Sequence, residues 1–351
     1  MNWFTINAFP IFIILLIVSI ERSIGQTSLK SLSVVFRHGD RTPSEKEMYP
    51  KDPYYNTKFT NELGHLTSNG RTRAFHLGES LREKYIHFLG GINFSPETVS
   101  ITTTDYNRTK TTLQMVLEGL YPSKNIRILP VKVLRSGKDD LLNSRKSSEY
   151  KKLRQELENI PEVKERIESF QNYMNELTNI TGKPISNIED IYSLYHILKS
   201  ESSMGLTLPE WTKNEFPHGK IRDAALLSYD LFSYTLPMRK IHGGKLLREL
   251  IERMRSVKTG ESEARLFLYS AHEDTLVALL KVLNIYEPHI PDYANAIVLE
   301  LHETDNRYHI KIQYVNGISR NFSLQQIPKC GQFCELDKFA ELFKDVTDRN
   351  Q

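Results

Sequence analysis

Ser31-Leu32-Ser33-Val34-Val35-Phe36-Arg37-His38-Gly39-Asp40-Arg41-Thr42-Pro43 is the stretch on which the fold turns. Its first half is a short β-branched and apolar run, which predicts a buried strand, and the polar residues that follow at once predict a loop at that strand's carboxyl end. The pattern recurs. Val99 to Thr103 reads as a strand, followed by Asp105-Tyr106-Asn107-Arg108-Thr109 and a helix to about Leu120. Arg265 to Ser270 reads as another, followed by Ala271-His272-Glu273-Asp274 and a helix through Leu283. Strand, polar loop and helix in repetition describe an α/β fold, a mostly parallel central sheet flanked by helices, which binds ligands at the carboxyl ends of its strands.

Outward from these segments, Thr67 is placed to cap a helix running to about Leu89, with Leu77, Leu81, Tyr85 and Phe88 at helical spacing. Further helices are expected near Asp223 to Thr235, Lys245 to Ser256 and Leu336 to Val346, and strands at Ala296 to Leu301 and Tyr308 to Val315. From Ser136 to Ser200 the chain turns rich in Lys, Glu, Asn and Ser, which predicts a helical cap insertion whose charges lie on solvated faces. The expected division is therefore a leader at 1–25, an α/β core at 26–135 and 201–351, and a cap at 136–200.

Composition excludes several classes. The 351 residues are 39% hydrophobic, with Lys+Arg 46 against Asp+Glu 43 and a net charge of +3. Hydrophobicity is too high for a disordered chain, and so small a net charge gives no basic stripe for nucleic acid. From Ala8 to Ile20 the chain is apolar apart from Pro10 and Ser19, and Ser23-Ile24-Gly25 offers small residues for cleavage before Gln26. The run is shorter than the roughly 20 residues that span a bilayer, so the reading is a secreted product with no membrane segment, although no Lys or Arg precedes it. Two cysteines exclude a disulfide scaffold, but an oxidising route favours a small loop closed by Cys330 and Cys334. Sequons stand at Asn93, Asn107, Asn179 and Asn321. Asn107 is set aside, because a glycan there would crowd Arg108. His65, His76 and His87 recur every eleven residues, about 16 Å apart on a helix, too far to share a metal ion.

The chemistry sits at the three strand ends. If those strands are neighbours, Arg37, Arg41 and Arg108 face one crevice with His38, His272 and a carboxylate. Arginines present planar forks matched to phosphate oxygens, and three together call for an anion of charge near −2. A phosphoryl group fits, with His38 able to attack phosphorus and His272 able to donate to an oxygen. The guanidiniums supply the charge stabilisation that a metal ion supplies elsewhere, so neither metal nor cofactor is expected.

The run Arg37-His38-Gly39-Asp40-Arg41-Thr42-Pro43 resembles the RHGxRxP signature of the histidine acid phosphatases. Asp105 to Thr109 resembles the family's second phosphate-binding segment, Leu208-Pro209-Glu210-Trp211 its LPxW segment, and Tyr269-Ser270-Ala271-His272-Glu273 its late HD segment. The insect venom acid phosphatases are similar, although His-Glu stands here in place of His-Asp. The resemblance implies a phosphate monoesterase in which His38 becomes phosphohistidine. It further implies that Arg37, Arg41, Arg108 and His272 bind the phosphoryl group and that Glu273 protonates the leaving alcohol. It also matches the Cys330 to Cys334 loop, and it implies a homodimer. Asp274 competes with Glu273 as the acid, but as the expected N-cap of the following helix it would be held ionised. Two alternatives stand beside the secreted phosphatase: a phosphotransfer mutase of the same superfamily, and a catalytically weak venom or salivary binding protein that keeps the fold.

Overall fold

The computed structural model describes residues 27–55, 62–90, 95–122 and 130–348. The leader and the Asn93 sequon lie outside the described residues.

Eight strands form one mixed sheet: β1 (Ser28–Arg37), β2 (Val99–Thr104), β3 (Val131–Leu134), β4 (Leu266–Ala271), β5 (Ala296–Thr304), β6 (Arg307–Val315), β7 (Phe322–Leu324) and β8 (Cys334–Glu335). The order is β3-β2-β4-β1-β5-β6-β7, with β8 also paired to β6. β3, β2, β4 and β1 are mutually parallel, while β5, β6, β7 and β8 join through antiparallel pairings. β1 alternates strictly: Leu32, Val34 and Phe36 point into one apolar cluster and Val35 into the other. Both faces of this strand are buried, as a central parallel strand requires.

One face is covered by α1 (Ser68–Lys84), α2 (Ile86–Gly90) and α3 (Asn107–Leu120). Thr67 caps α1 as expected, its hydroxyl accepting from the Gly70 amide at 3.1 Å. The expected continuous helix breaks at Tyr85, whose hydroxyl donates to buried Glu300 at 2.7 Å. The segment between β3 and β4 holds α4 (Ser148–Leu157), α5 (Pro161–Glu168), α6 (Gln171–Thr181), α7 (Ile188–Ser203), α8 (Lys220–Leu231), α9 (Leu236–Arg239) and α10 (Lys245–Thr259). α10 joins α11 (Glu273–Val282), α12 (Leu336–Leu342) and α13 (Lys344–Thr347) on the opposite face of the sheet. α4 to α8 share a separate apolar core that includes Tyr173, Leu177, Ile191, Ile197 and Phe232 and reaches α11 at Val277.

The short strands β3, β7 and β8 were not expected from the sequence. In β3 the alternate residues Val131 and Val133 are exposed, so the strand carries none of the burial signature of its neighbours. Cys330 and Cys334 form a disulfide with Cα atoms 5.3 Å apart. Asn179 and Asn321 are exposed, as is Asn107 at the start of α3. Among the described residues no helix is long and apolar enough to cross a membrane.

Candidate active site

β2, β4 and β1 are consecutive neighbours, so the three polar strand ends open side by side. Arg37 pairs with Ala271 in the β1–β4 register, which sets His38 beside His272 with ring centroids 5.6 Å apart. The loop after His38 lies flat on the start of α1. A Cβ on Gly39 would fall 2.3 Å from the Gly70 carbonyl oxygen, and one on Gly70 would fall 2.0 Å from that of Asp40. Only glycine tolerates this backbone-on-backbone approach.

The His38 ring is fixed in one tautomer. Its Nδ1–H donates to the Gly39 carbonyl at 2.8 Å, which leaves the Nε2 lone pair free. Burial, followed by the charges of Arg108, Arg37, His272 and Arg41, holds His38 well below the usual imidazole range. The shift favours the neutral ring.

The three guanidiniums differ in how they are held. Arg37 is wholly buried: Nη1 donates to the Pro291 carbonyl at 2.5 Å, Nε lies 3.2 Å from Glu273 Oε2, and the Tyr293 ring stacks at 4.2 Å. Arg41 is gripped by Glu47 through both carboxylate oxygens, at 2.7 and 2.5 Å. Arg108 stacks on Tyr106 at 4.4 Å and donates to His272 Nδ1 at 3.5 Å, and burial with the Arg41 charge pushes it down to about 10. Among the described residues, Arg37 Nη2, Arg41 Nε and Arg108 Nε have no hydrogen-bond acceptor. Buried donors are rarely left so. His272, pushed down to about 3 by burial and then Arg108, donates through Nε2 to Thr104 Oγ1 at 3.1 Å.

The two adjacent carboxylates face different partners. Glu273 accepts from the Tyr192 hydroxyl at 2.6 Å and pairs with Arg37. Burial opposes its ionisation, but Arg37, then His196, His38 and His272, hold it well below the carboxylate range. Asp274 accepts from Arg145 Nε at 2.8 Å, with His242 4.0 Å away. The expectation that Asp274 caps α11 is corrected: the N-cap is His272, and Asp274 lies inside the first turn, bonded to the Thr275 amide at 3.0 Å. The cap falls two residues earlier because extended backbone ends at His272, φ −123 and ψ 171, and the helix begins at Glu273.

Sequence reasoning missed three contributors. Glu47 neutralises Arg41, and its one local hint is the Ser44-x-x-Glu47 spacing, which here closes a turn through a 2.8 Å bond to the Ser44 amide. Pro291 to Asn295 wraps β1: besides Pro291 and Tyr293, the Ala294 amide donates to the His38 carbonyl at 3.1 Å, with Ala294 in the left-handed region at φ 56. The third is α7, whose Tyr192, His196, Lys199 and Ser200 turn inward. The expectation that charges at 136–200 lie on solvated faces fails for Arg145, bound to Asp274, and for Lys199, bound to Asp292 at 2.7 Å.

The model of the histidine phosphatase superfamily (branch 2) matches residues 28–315. The chain belongs to that family. This histidine phosphatase is 37% identical over 340 residues to venom acid phosphatase Acph-1 of Apis mellifera, covering 93% of this chain and 87% of that one. It is 29% identical to human prostatic acid phosphatase, covering 95% and 90%. Among solved structures, Hafnia alvei phytase in complex with tartrate shares the fold of this histidine phosphatase, with a TM-score of 0.69 and 15% identity over 92% of this chain and 98% of that one.

Proposed function

We propose that this histidine phosphatase hydrolyses phosphate monoesters at acidic pH through a phosphohistidine on His38. The carrying observation is a neutral, tautomer-fixed imidazole ringed by three guanidiniums with unpaired buried donors. Acid phosphatase kinship on both sides, venom and prostatic, supports the same reading.

In the first step His38 Nε2 bonds to phosphorus as the ester P–O bond breaks. The electron pair leaves on the ester oxygen, and the Glu273 carboxylic acid supplies its proton. In the second, water bonds to phosphorus, gives a proton to Glu273, and the P–N bond breaks. Arg37, Arg41 and Arg108 hold the phosphoryl oxygens and meet the charge that develops on them, and a bound anion that draws Arg108 off His272 Nδ1 lets that nitrogen take a proton and donate as well. Glu273 is favoured over Asp274 because its carboxylate lies on Arg37 and is close enough to His38 to feel its charge, whereas that of Asp274 is turned to Arg145. Glu273 is ionised beside Arg37 in the free protein, so it takes up its working proton from the acidic solvent as substrate binds: the phosphoryl anion draws the guanidinium charge to itself and raises the proton affinity of the carboxylate.

The reading extends to the rest of the chain. The leader, the disulfide and the exposed Asn179 and Asn321 support secretion as a glycoprotein, and the helical cap at 136–200 decides which monoester reaches His38. The reaction proceeds on the arginines without metal, and the molecule works as a homodimer.

The test is trapping. Rapid acid-free quenching during turnover of 4-nitrophenyl phosphate is expected to leave acid-labile, base-stable phosphate on the wild-type chain and none on His38→Ala. That variant should lose about 10³-fold or more in turnover, and excess chelator should change nothing. Retained activity in His38→Ala overturns the nucleophile, and loss on chelation overturns the metal-free mechanism.

A further inference from the structure

α7 lies in the helical layer, yet one of its faces is polar and looks into the crevice. Tyr192, His196, Lys199 and Ser200 follow the i, i+4, i+7, i+8 spacing that puts residues on a single helix face. Lys199 anchors this face to Asp292 in the segment that wraps β1, and the Ser200 hydroxyl donates to the Arg41 carbonyl. A capping box at Asn187 and Asp190 fixes the helix start. Tyr192 is held rigidly between these anchors. Its ring packs edge-on against Tyr229 and Phe232, with centroids at 5.4 and 5.5 Å, and against His196 at 4.4 Å. Its hydroxyl bonds Glu273 Oε1 at 2.6 Å.

Resting on the reading of Glu273 as the acid, we propose that Tyr192 is a positioning residue for proton delivery. Its hydroxyl holds one carboxylate oxygen of Glu273 while the other stays toward Arg37. A glutamate side chain has three rotatable bonds, and without a second anchor the acid would sample orientations that miss the leaving oxygen. The hydroxyl does more than restrain. It donates to a carboxyl group that becomes negative as the proton leaves, so the bond strengthens along the reaction coordinate and favours the transition state over the ground state.

Substitution of Tyr192 by Phe keeps the ring packing and removes only the hydroxyl. With an alkyl phosphate, whose alkoxide needs the proton, kcat is expected to fall about 10-fold; with 4-nitrophenyl phosphate it should fall less than about 2-fold, and inhibition by inorganic phosphate should be unchanged. The pH profile gives a second readout. The groups facing Glu273 are Arg37 and His38 from β1 and its loop, Arg108 from α3, and Tyr192, His196 and Lys199 from α7. Arg41 from the loop after β1, Tyr229 from α8 and the neighbouring His272 and Asp274 complete the set. The Tyr192 bond favours the ionised carboxylate, so its removal should move the alkaline limb of the profile upward. Equal losses on both substrates, or an unmoved limb, would overturn the proposal. Glu273→Gln separates the two levels. If it hits the alkyl substrate selectively while Tyr192→Phe does not, the acid stands and the positioning role falls. If Glu273→Gln shows no leaving-group dependence, the acid assignment falls and takes the positioning role with it. If both are right, Tyr192→Phe costs nothing further in the Glu273→Gln background.

Discussion

Two buried clusters a few residues apart carry unbalanced charge of opposite sign. At the strand ends, Arg37, Arg41 and Arg108 outnumber their carboxylate partners. On α7, Glu201 is buried with Asp52 near Tyr49, and its carboxyl group is set against that of Asp52. The outcomes differ because the side chains differ. A carboxyl group relieves its burial by taking a proton, and Glu201 is pushed up to about 9 by burial and then by Asp52. A guanidinium stays charged at every working pH, so a surplus of them is relieved only by an anion. The first cluster is thus the one proposed to bind an anion, and the second is one that favours holding a proton.

The sharpest way to break the comparison is to remove charge from the crevice. Arg41→Met is expected to lower kcat/KM by about 10² to 10³-fold, and initial rates on one aryl phosphate decide it. Glu47→Gln keeps the cation but loosens its bidentate grip, and about 10-fold is expected; an effect as large as that of Arg41→Met would mean that Glu47 itself enters the chemistry. A smaller effect reads the surplus directly. Inorganic phosphate at about 100 times its Kd should stabilise the wild-type chain by about 2.7 kcal/mol, seen as a raised Tm. Arg108→Ala should abolish most of that gain, and an unchanged gain would show that the ion binds elsewhere.

The Glu201 cluster gives the smallest shift and the opposite pH sense. Glu201 has an ordinary value of 4.5 and a folded value of about 9, so between those limits the folded chain holds the extra proton. Stability then declines as pH rises through that window. Glu201→Gln should match the wild type in Tm near pH 4 and exceed it by about 3 °C or more near pH 8. Equal Tm values across the range would show that the pair is not sharing a proton. Acid conditions therefore suit both clusters, one because its ester substrate needs a proton and the other because it stores one.

How much could be read along the chain follows from distance along it. Ser31 to Phe36, Val99 to Thr103 and Arg265 to Ser270 announce themselves as strands through composition and period alone. The polar residues at their ends are sequence neighbours, so the gathering of His38, Arg37, Arg41, Arg108, His272 and Glu273 around one crevice could be anticipated from the strands alone. The Asp274 cap was misjudged by two positions, because where a helix starts depends on the backbone leaving β4. Partners were not legible. Arg37 and Pro291 are 254 residues apart, and Tyr192 and Glu273 are 81 apart. Neither Pro291 nor Tyr192 carries any local mark of its role.

Taken alone, then, the sequence determined the strand-loop-helix grammar and singled out the groups proposed to bind and attack a phosphoryl group, because both are written in short-range pattern and residue chemistry. Only the tertiary structure decided the state of those groups: which nitrogen of His38 is free, which guanidinium is gripped and by whom, and which carboxylate faces the nucleophile. Those states arise from burial and from charges brought together by packing, and the order of residues along the chain does not encode them locally.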